Sequence, residues 1–283
     1  MKADYYQPMD DDQVFSGSIP KIYESYLVPL IFEPYAEDLA TRAAARLAPS
    51  AVEGSPKRIL EIAAGTGVVT RAMVGALPRT VEIVATDLNP AMLEQAAAHT
   101  LPRPVSFQQA DAMGLPFDDQ TFDVVVIQFG VMFFPDKPKA LSEARRVLRP
   151  GGALIFSVWD RIEENAFAAV IQAALGEFFP GDPPMFLQRA PYGYFDHAAI
   201  ASDVAAGGFA TTPEIVTVSA SSRASSASDV AVGYCHGSPL RAEIEARGAL
   251  EHATDAAEKA IEQRFGGAAI EGKMQAHVVT VER

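Results

Sequence analysis

The sequence predicts an α/β chain wound on both sides of a parallel sheet, and three observations carry the prediction. Between residues 58 and 159, short apolar runs alternate with segments of helical period, the pattern of successive βαβ units. The segment Arg58-Ile59-Leu60-Glu61-Ile62-Ala63-Ala64-Gly65-Thr66-Gly67-Val68-Val69-Thr70 reads as a buried strand that enters a glycine turn and then a helix. Twenty residues beyond Gly67, the second strand ends in Asp87, an acid suited to holding ribose hydroxyls.

The elements follow in order. Residues 1–18 are polar, carry the acidic run Asp10-Asp11-Asp12, and read as a flexible solvated tail. From 19 to 47 the chain reads as helix, with Ile22, Tyr23, Tyr26, Leu27 and Leu30 at helical spacing and a break at Pro34. Pro49, Gly54 and Pro56 mark a loop before the first strand, about 58–63. The next helix turns Val69, Ala72, Met73, Ala76 and Leu77 inward and stops before Pro78. A second strand follows at about 81–86. Asn89 and Pro90 supply an N-cap and a first-turn proline for the helix of Met92, Leu93 and Ala96.

Strand three is placed at about 105–108 and strand four at 122–128, almost wholly apolar as for a strand covered on both faces. Asp136 and Pro138 open another helix, which Pro150-Gly151-Gly152 ends before strand five, 153–159. Beyond it the pattern predicts a helix near 165–178, a Pro/Gly-rich loop, and a helix capped by Asp196 and ended by Gly207-Gly208. Next come a strand at 215–219, a Ser-rich loop at 219–228, and helices around 239–247 and 250–265. A last strand at 274–281 is expected beside the sixth.

Composition narrows the functional class. With 283 residues and 49% hydrophobic residues, the chain has enough material for one large core. A net charge of −13 argues against nucleic acid or an anionic membrane as partner, since both call for clustered cations. The single cysteine, Cys235, makes no internal disulfide and no paired-cysteine zinc site, which fits a reduced cytoplasmic setting. The start of the chain has no signal-peptide run, and the longest apolar stretch, 124–134, is too short to span a bilayer. His99, His197, His252 and His277 show no metal-ligand spacing, so no metal is expected.

The glycine turn alone does not choose between ligands. A nicotinamide-dinucleotide fingerprint wants a third small residue where Thr70 stands. The register Glu61-x-Ala63-x-Gly65-x-Gly67 instead puts an acid on the strand just before the turn. A carboxylate there suits a ligand bearing an ammonium group, such as the methionine moiety of S-adenosylmethionine (SAM).

Five ordered blocks carry a family resemblance. They are Leu60-Glu61-Ile62-Ala63-Ala64-Gly65-Thr66-Gly67, Asp87-Leu88-Asn89-Pro90-Ala91-Met92-Leu93, Ala110-Asp111-Ala112-Met113-Gly114-Leu115-Pro116-Phe117, Phe122-Asp123-Val124-Val125 and Arg146-Val147-Leu148-Arg149-Pro150-Gly151-Gly152. In these blocks the chain resembles the class I SAM-dependent methyltransferases of the ubiquinone/menaquinone C-methyltransferase-like group (methyltransferase type 11). The resemblance implies a Rossmann-like doubly wound seven-stranded sheet with N-terminal helices and a C-terminal helical lid insertion. The expected division is a tail at 1–18, a helical cap at 19–57, a SAM-binding core at 58–160 and a substrate and lid region at 161–283. Ala63 departs from the family, which often has glycine there.

Position by position, the resemblance implies that Gly65 and Gly67 wrap the methionine part of SAM, with Ala63 in the turn and Glu61 beneath it. Asp87 would bind the ribose hydroxyls, with Leu88 and Met92 on the adenine side. Asp111 and Ala112 would meet the adenine amino group and ring, and Gln128 and Phe129 would lie beside the sulfonium. Tyr23 would close over SAM from the N-terminal helix. For the acceptor, Tyr26, Met132, Phe133, Trp159, Tyr194 and His236 are candidate pocket residues. No catalytic residue is assigned; His236 is the one candidate for a general base. The expected chemistry is in-line methyl transfer from SAM to a small, mostly apolar acceptor through an O, N or C nucleophile. S-adenosyl-L-homocysteine would leave, and positioning and desolvation would supply much of the catalysis. A lid made of the N-terminal helix and residues 222–272 is expected to exclude water. Two other readings stay open: a SAM-fold protein with a binding role or other chemistry, and an NAD(P)-dependent oxidoreductase.

Overall fold

The computed structural model describes residue 15 and residues 17–47 and 56–283. Asp10-Asp11-Asp12 of the expected tail, and Pro49 and Gly54 of the expected loop, lie outside the described residues. The chain divides into two compact units, each assembled from three stretches of sequence. One, the core unit, comprises Glu33–Val158, Asp196–Val216 and His277–Arg283; the second comprises Met1–Phe32, Trp159–Phe195 and Thr217–Ala276.

Helical structure opens with α1 (Ile19–Ile22), continues as a π-helical stretch over Tyr23–Phe32, and becomes α2 at Glu33–Arg46. No break falls at Pro34. It lies inside continuous helix, and the irregularity takes the form of the π-helical stretch just before it, which holds Pro29.

The strands of the core are β1 (Arg58–Ile62), β2 (Glu82–Asp87), β3 (Ser106–Gln109), β4 (Phe122–Gln128) and β5 (Leu148–Trp159). Among them run α3 (Val68–Ala76), α4 (Pro90–Ala97) and α5 (Lys137–Val147). β1 pairs in parallel with β2 and β4, β2 with β3, and β4 with β5. Later elements are α6 (Ala166–Phe178), α7 (Phe186–Arg189), α8 (His197–Ala206), β6 (Glu214–Ser226), α9 (Ala227–His236), α10 (Leu240–Glu245), α11 (Leu250–Phe265) and β7 (Ala268–Glu282). The sheet has seven strands in the order β3-β2-β1-β4-β5-β7-β6. The chain goes outward from β1 to β3 and then resumes on the other side of β1 with β4. That reversal is the switch point at which open α/β sheets bind ligands, at the carboxyl ends of the strands.

β7 runs against β5: Asp160 N donates to Gln275 O at 3.1 Å and Arg283 N to Gly152 O at 2.9 Å, so the partner number falls as the β5 number rises. β7 and β6 also run against each other, as the side-chain pairs Ser219 to Gln275 and Arg223 to Glu271 show. Several elements differ from expectation: β7 begins at Ala268 and not at 274, and the short α7 falls in the expected Pro/Gly-rich loop. β5 begins at Leu148, because Pro150-Gly151-Gly152 is absorbed as a bulge between the pairs Phe122–Leu148 and Val124–Ala153. The Ser-rich stretch extends β6 to Ser226; its polar side chains suit an edge strand, and Ser222 Oγ reaches Leu30 O at 2.7 Å. Ser226 Oγ then accepts from Asp229 N at 3.1 Å and caps α9, a helix the pattern did not foretell.

Candidate functional site

Sheet register collects the polar side chains of the core. Glu61 lies opposite Ala85 on β2 and Val126 on β4, and Gln128 lies opposite Ser157 on β5. Because side chains alternate along a strand, Glu61, Asp87, Gln128 and Ser157 share one face of the sheet toward its carboxyl end. The turn after β1 bends sharply there. Ala63, Gly65 and Gly67 all have positive φ, at 55°, 57° and 85°. A side chain at Gly67 would bring its Cβ to 3.0 Å from Ala96 Cβ, so glycine is needed for close packing on α4 as well as for conformation. The family preference for glycine where Ala63 stands is explained by this backbone: Ala63 holds a left-handed conformation that costs an L-residue about 1 kcal/mol.

Glu61 is 1% exposed and accepts a hydrogen bond from Thr70 Oγ1, fastening the end of β1 to the first turn of α3. Burial pushes its carboxyl up to about 8, against the opposing hydrogen bonds of Thr70. The sequence raised Thr70 only as a misfit to the dinucleotide fingerprint; the structure gives it this fastening role. Arg71 Nη1 holds Thr66 O at 2.8 Å, and the buried Thr66 Oγ1 has no hydrogen-bond partner among the described residues.

Asp87 fixes the same turn from β2. Its Oδ2 accepts from Gly65 N and its Oδ1 from Asn89 N, each at 2.8 Å. Burial raises its pKa, and these backbone donors pull it back. Leu88 is 44% exposed, an apolar side chain left outside the core, whereas Met92 is buried in α4. Asp111 is exposed and its Oδ1 accepts from Met113 N at 2.8 Å, while Ala112 is buried.

At the end of β4, Gln128 and Phe129 are buried, and Phe129 turns the chain with a φ of 51° while its ring meets Tyr35 edge-on at 5.3 Å. Gly130 follows where a Cβ would stand only 2.6 Å from Ala63 Cβ, so the two turns pack backbone to side chain. Met132 is fully buried in the short helical turn Val131–Phe133, and Phe133 is half-buried.

Tyr23, Tyr26, Trp159, Tyr194 and His236 belong to the second unit. Within it Tyr23 stacks on Phe32 at 5.0 Å, Phe32 meets Trp159 at 6.1 Å, and Trp159 meets Tyr192 at 5.8 Å. The Tyr192 and Tyr234 hydroxyls lie 3.4 Å apart. Phe32, Tyr192 and Tyr234 did not stand out in the sequence, since a cluster drawn from such separated positions leaves no local pattern. Tyr26 is half-buried and Tyr194 buried. His236 Nε2 lies 2.9 Å from Thr254 Oγ1, whose own proton goes to Leu250 O at 2.8 Å. The ring therefore donates through Nε2 and keeps Nδ1 as its basic nitrogen, and burial holds its pKa below the ordinary histidine value. Among the described residues no group of His, Cys, Asp and Glu is arranged to hold a metal ion.

Comparison with known proteins gives a consistent picture. The methyltransferase-domain family matches residues 60–156. Over 132 residues the chain is 39% identical to the demethylmenaquinone methyltransferase of Thermus thermophilus, covering 46% of this chain and 60% of that one. Over 127 residues it is 38% identical to the ubiquinone/menaquinone biosynthesis C-methyltransferase UbiE of Ectopseudomonas mendocina, covering 44% and 50%. The matched stretch thus spans less than two thirds of either relative. A Haemonchus contortus N-methyltransferase, solved with phosphomonomethylethanolamine and S-adenosylhomocysteine, superposes with a TM-score of 0.57 at 16% identity, covering 96% of this chain and 59% of that one. Residues 60–156 of this chain match the methyltransferase-domain family, lie on the class I methyltransferase fold, and resemble over that span the ubiquinone/menaquinone C-methyltransferases.

Proposed function

We propose that the chain binds SAM at the carboxyl ends of β1, β2 and β4 and transfers its methyl group to a small, mostly apolar acceptor. The observation that carries this reading is Asp87: a buried carboxylate at the end of β2 that ties down the glycine turn through Gly65 N. The residues present fit the cofactor. Ala63, Gly65 and Gly67 hold a left-handed turn at the end of β1, Thr66 Oγ1 is a buried hydroxyl in that turn with no partner among the described residues, and Leu88 offers an exposed apolar surface beside Asp87.

When bound, SAM supplies a methyl group on a cationic sulfur, which leaves as S-adenosyl-L-homocysteine. The protein's part is to orient and to dry. Asp87 accepts from the ribose hydroxyls, Leu88 covers the adenine face, and Asp111 and Ala112 receive the ring edge. Glu61, held by Thr70 and protonated near neutral pH in the free chain, would supply negative charge beneath the cationic end once the ligand's charge draws off its proton. Gln128 and Phe129 line the reacting end, where burial excludes water. Tyr26, Trp159, Tyr194 and His236 are assigned to the acceptor, with His236 Nδ1 as the base if the acceptor must lose a proton.

The finer reading is C-methylation of a quinone-type ring, which the names of the two relatives support. We also assign the reaction to the cytoplasm; none of the helices among the described residues is long and apolar enough to cross a membrane. The test is release of S-adenosylhomocysteine from SAM on addition of demethylated menaquinol analogues, catechols or small amines. Release above the acceptor-free rate with a ring acceptor is expected. Tight SAM binding with no release from any of them would favour a binding protein.

A further inference from the structure

The carboxyl ends of β2 and β3 are joined by side chains as well as by the backbone ladder. Asp87, the last residue of β2, lies directly opposite Gln109, the last residue of β3. Paired residues of neighbouring strands present their side chains on one face, so Gln109 stands on the face that carries Asp87. The Asp87 carbonyl is taken by the backbone, through Ala110 N at 3.0 Å. The next carbonyl, that of Leu88, accepts from a side chain instead, Gln109 Nε2 at 2.9 Å.

That bond completes a grip on a single peptide unit. The C=O of the Leu88–Asn89 peptide is held by Gln109, and its N–H donates to Asp87 Oδ1 at 2.8 Å. The other Asp87 oxygen accepts from Gly65 N in the glycine turn, also at 2.8 Å. A peptide plane moves as a unit, so a hold on its oxygen also directs its N–H. The setting of this one plane therefore bears on two groups at once: the exposed Leu88 side chain and the Asp87 carboxylate. Rotation of the plane would carry Asn89 N–H away from Asp87, and the Gln109 amide opposes that rotation. Gln109 is itself exposed, so its side chain can be changed without opening the core.

We propose that Gln109 is a positioning residue for the cofactor. By holding Leu88 O it fixes the Leu88–Asn89 peptide, which presets Leu88 for the adenine face and the Asp87 carboxylate for the ribose hydroxyls. The inference rests on the reading of Asp87 and Leu88 as cofactor contacts. Groups preset in their bound orientation lose less freedom on binding, and that difference is gained as affinity.

The test is calorimetric titration of the full chain with S-adenosylhomocysteine in wild type, Gln109→Met, Leu88→Ala and the double variant. Hydrogen exchange at the Asn89 amide is followed in the ligand-free proteins. Methionine is close to glutamine in length and lacks the donor. Gln109→Met should bind about three- to tenfold more weakly, the scale of one hydrogen bond, with a melting temperature within about 3 °C of wild type. The double variant should lose less than the product of the two single losses, because Leu88 contributes less once its backbone is no longer preset. Asn89 N–H should exchange faster in Gln109→Met than in wild type. Unchanged affinity in Gln109→Met, single losses that simply multiply, or unchanged exchange at Asn89 would each overturn the inference and leave the cofactor reading standing. Absence of binding in wild type would end both.

Discussion

Glu61 is the residue at which protonation, stability and the binding of a cationic ligand meet. Burial holds its folded pKa at about 8, above the ordinary carboxyl value of 4.5. The folded chain therefore holds this proton more tightly than the unfolded chain does. The stability this contributes is present below pH 4.5 and is lost as pH rises toward about 8, with no further loss beyond. Thermal melts across that window should fall with pH in wild type and fall less in Glu61→Gln, which keeps the bond to Thr70 without a titrating group. Equal slopes in the two proteins would remove Glu61 as the cause. A bound sulfonium and ammonium would favour the ionised form, so SAM binding near pH 7 should release protons, and calorimetry in buffers of different ionisation enthalpy measures that release.

Ala63 and Gly130 make a second residue-scale test. Gly130→Ala would place a Cβ 2.6 Å from Ala63 Cβ, and should cost about 1–3 kcal/mol of stability by denaturant titration. Ala63→Gly removes both that obstacle and its own strained φ of 55°. The double variant should therefore recover part of the loss, a coupling that independent sites do not show.

Among elements, α5 is bound to the loop after Asp111 through Glu143, which accepts from Leu115 N at 3.0 Å, and above all through Arg146. Arg146 reaches Glu143 at 2.9 Å, Leu115 O at 2.9 Å, Phe117 O at 2.7 Å and Asp119 at 2.8 Å. Arg146→Met should destabilise the fold by about 2–4 kcal/mol, because Glu143 and several carbonyl groups lose their donor together. A loss under about 0.5 kcal/mol in denaturant titration would show the network to be a surface feature. Elements of this parallel core were legible in the sequence for a physical reason. A strand covered on both faces must be apolar along its length, so β1 and β4 stood out, and Asn89-Pro90 marked α4 in two residues. β6 was not legible beyond Ser219, since a polar edge strand and a loop share composition and only pairing with β7 tells them apart. The π-helical stretch over Tyr23–Phe32 was likewise hidden, because apolar residues at helical spacing do not report which carbonyl each N–H finds.

At the scale of the whole molecule, the residues proposed for the cofactor form a set legible in the sequence, and those proposed for the acceptor do not. The donor residues lie in a compact stretch, Glu61 to Phe129, whose order follows from chain direction in a parallel sheet. The aromatic residues of the second unit come from positions 23, 32, 159, 192 and 234, which only tertiary structure brings together. If SAM binds the folded chain alone, saturating S-adenosylhomocysteine should raise the melting temperature, by about 2.7 kcal/mol of added stability at a hundred times Kd.

The measurement that bears most directly on the account is calorimetric titration of the purified chain with SAM and with S-adenosylhomocysteine, in wild type and in Asp87→Ala. The account predicts one site for each ligand in wild type, and affinity weakened at least about a hundredfold when the carboxylate and its two backbone partners are lost. Absence of binding in wild type, or undiminished binding in a folded Asp87→Ala variant, would contradict it.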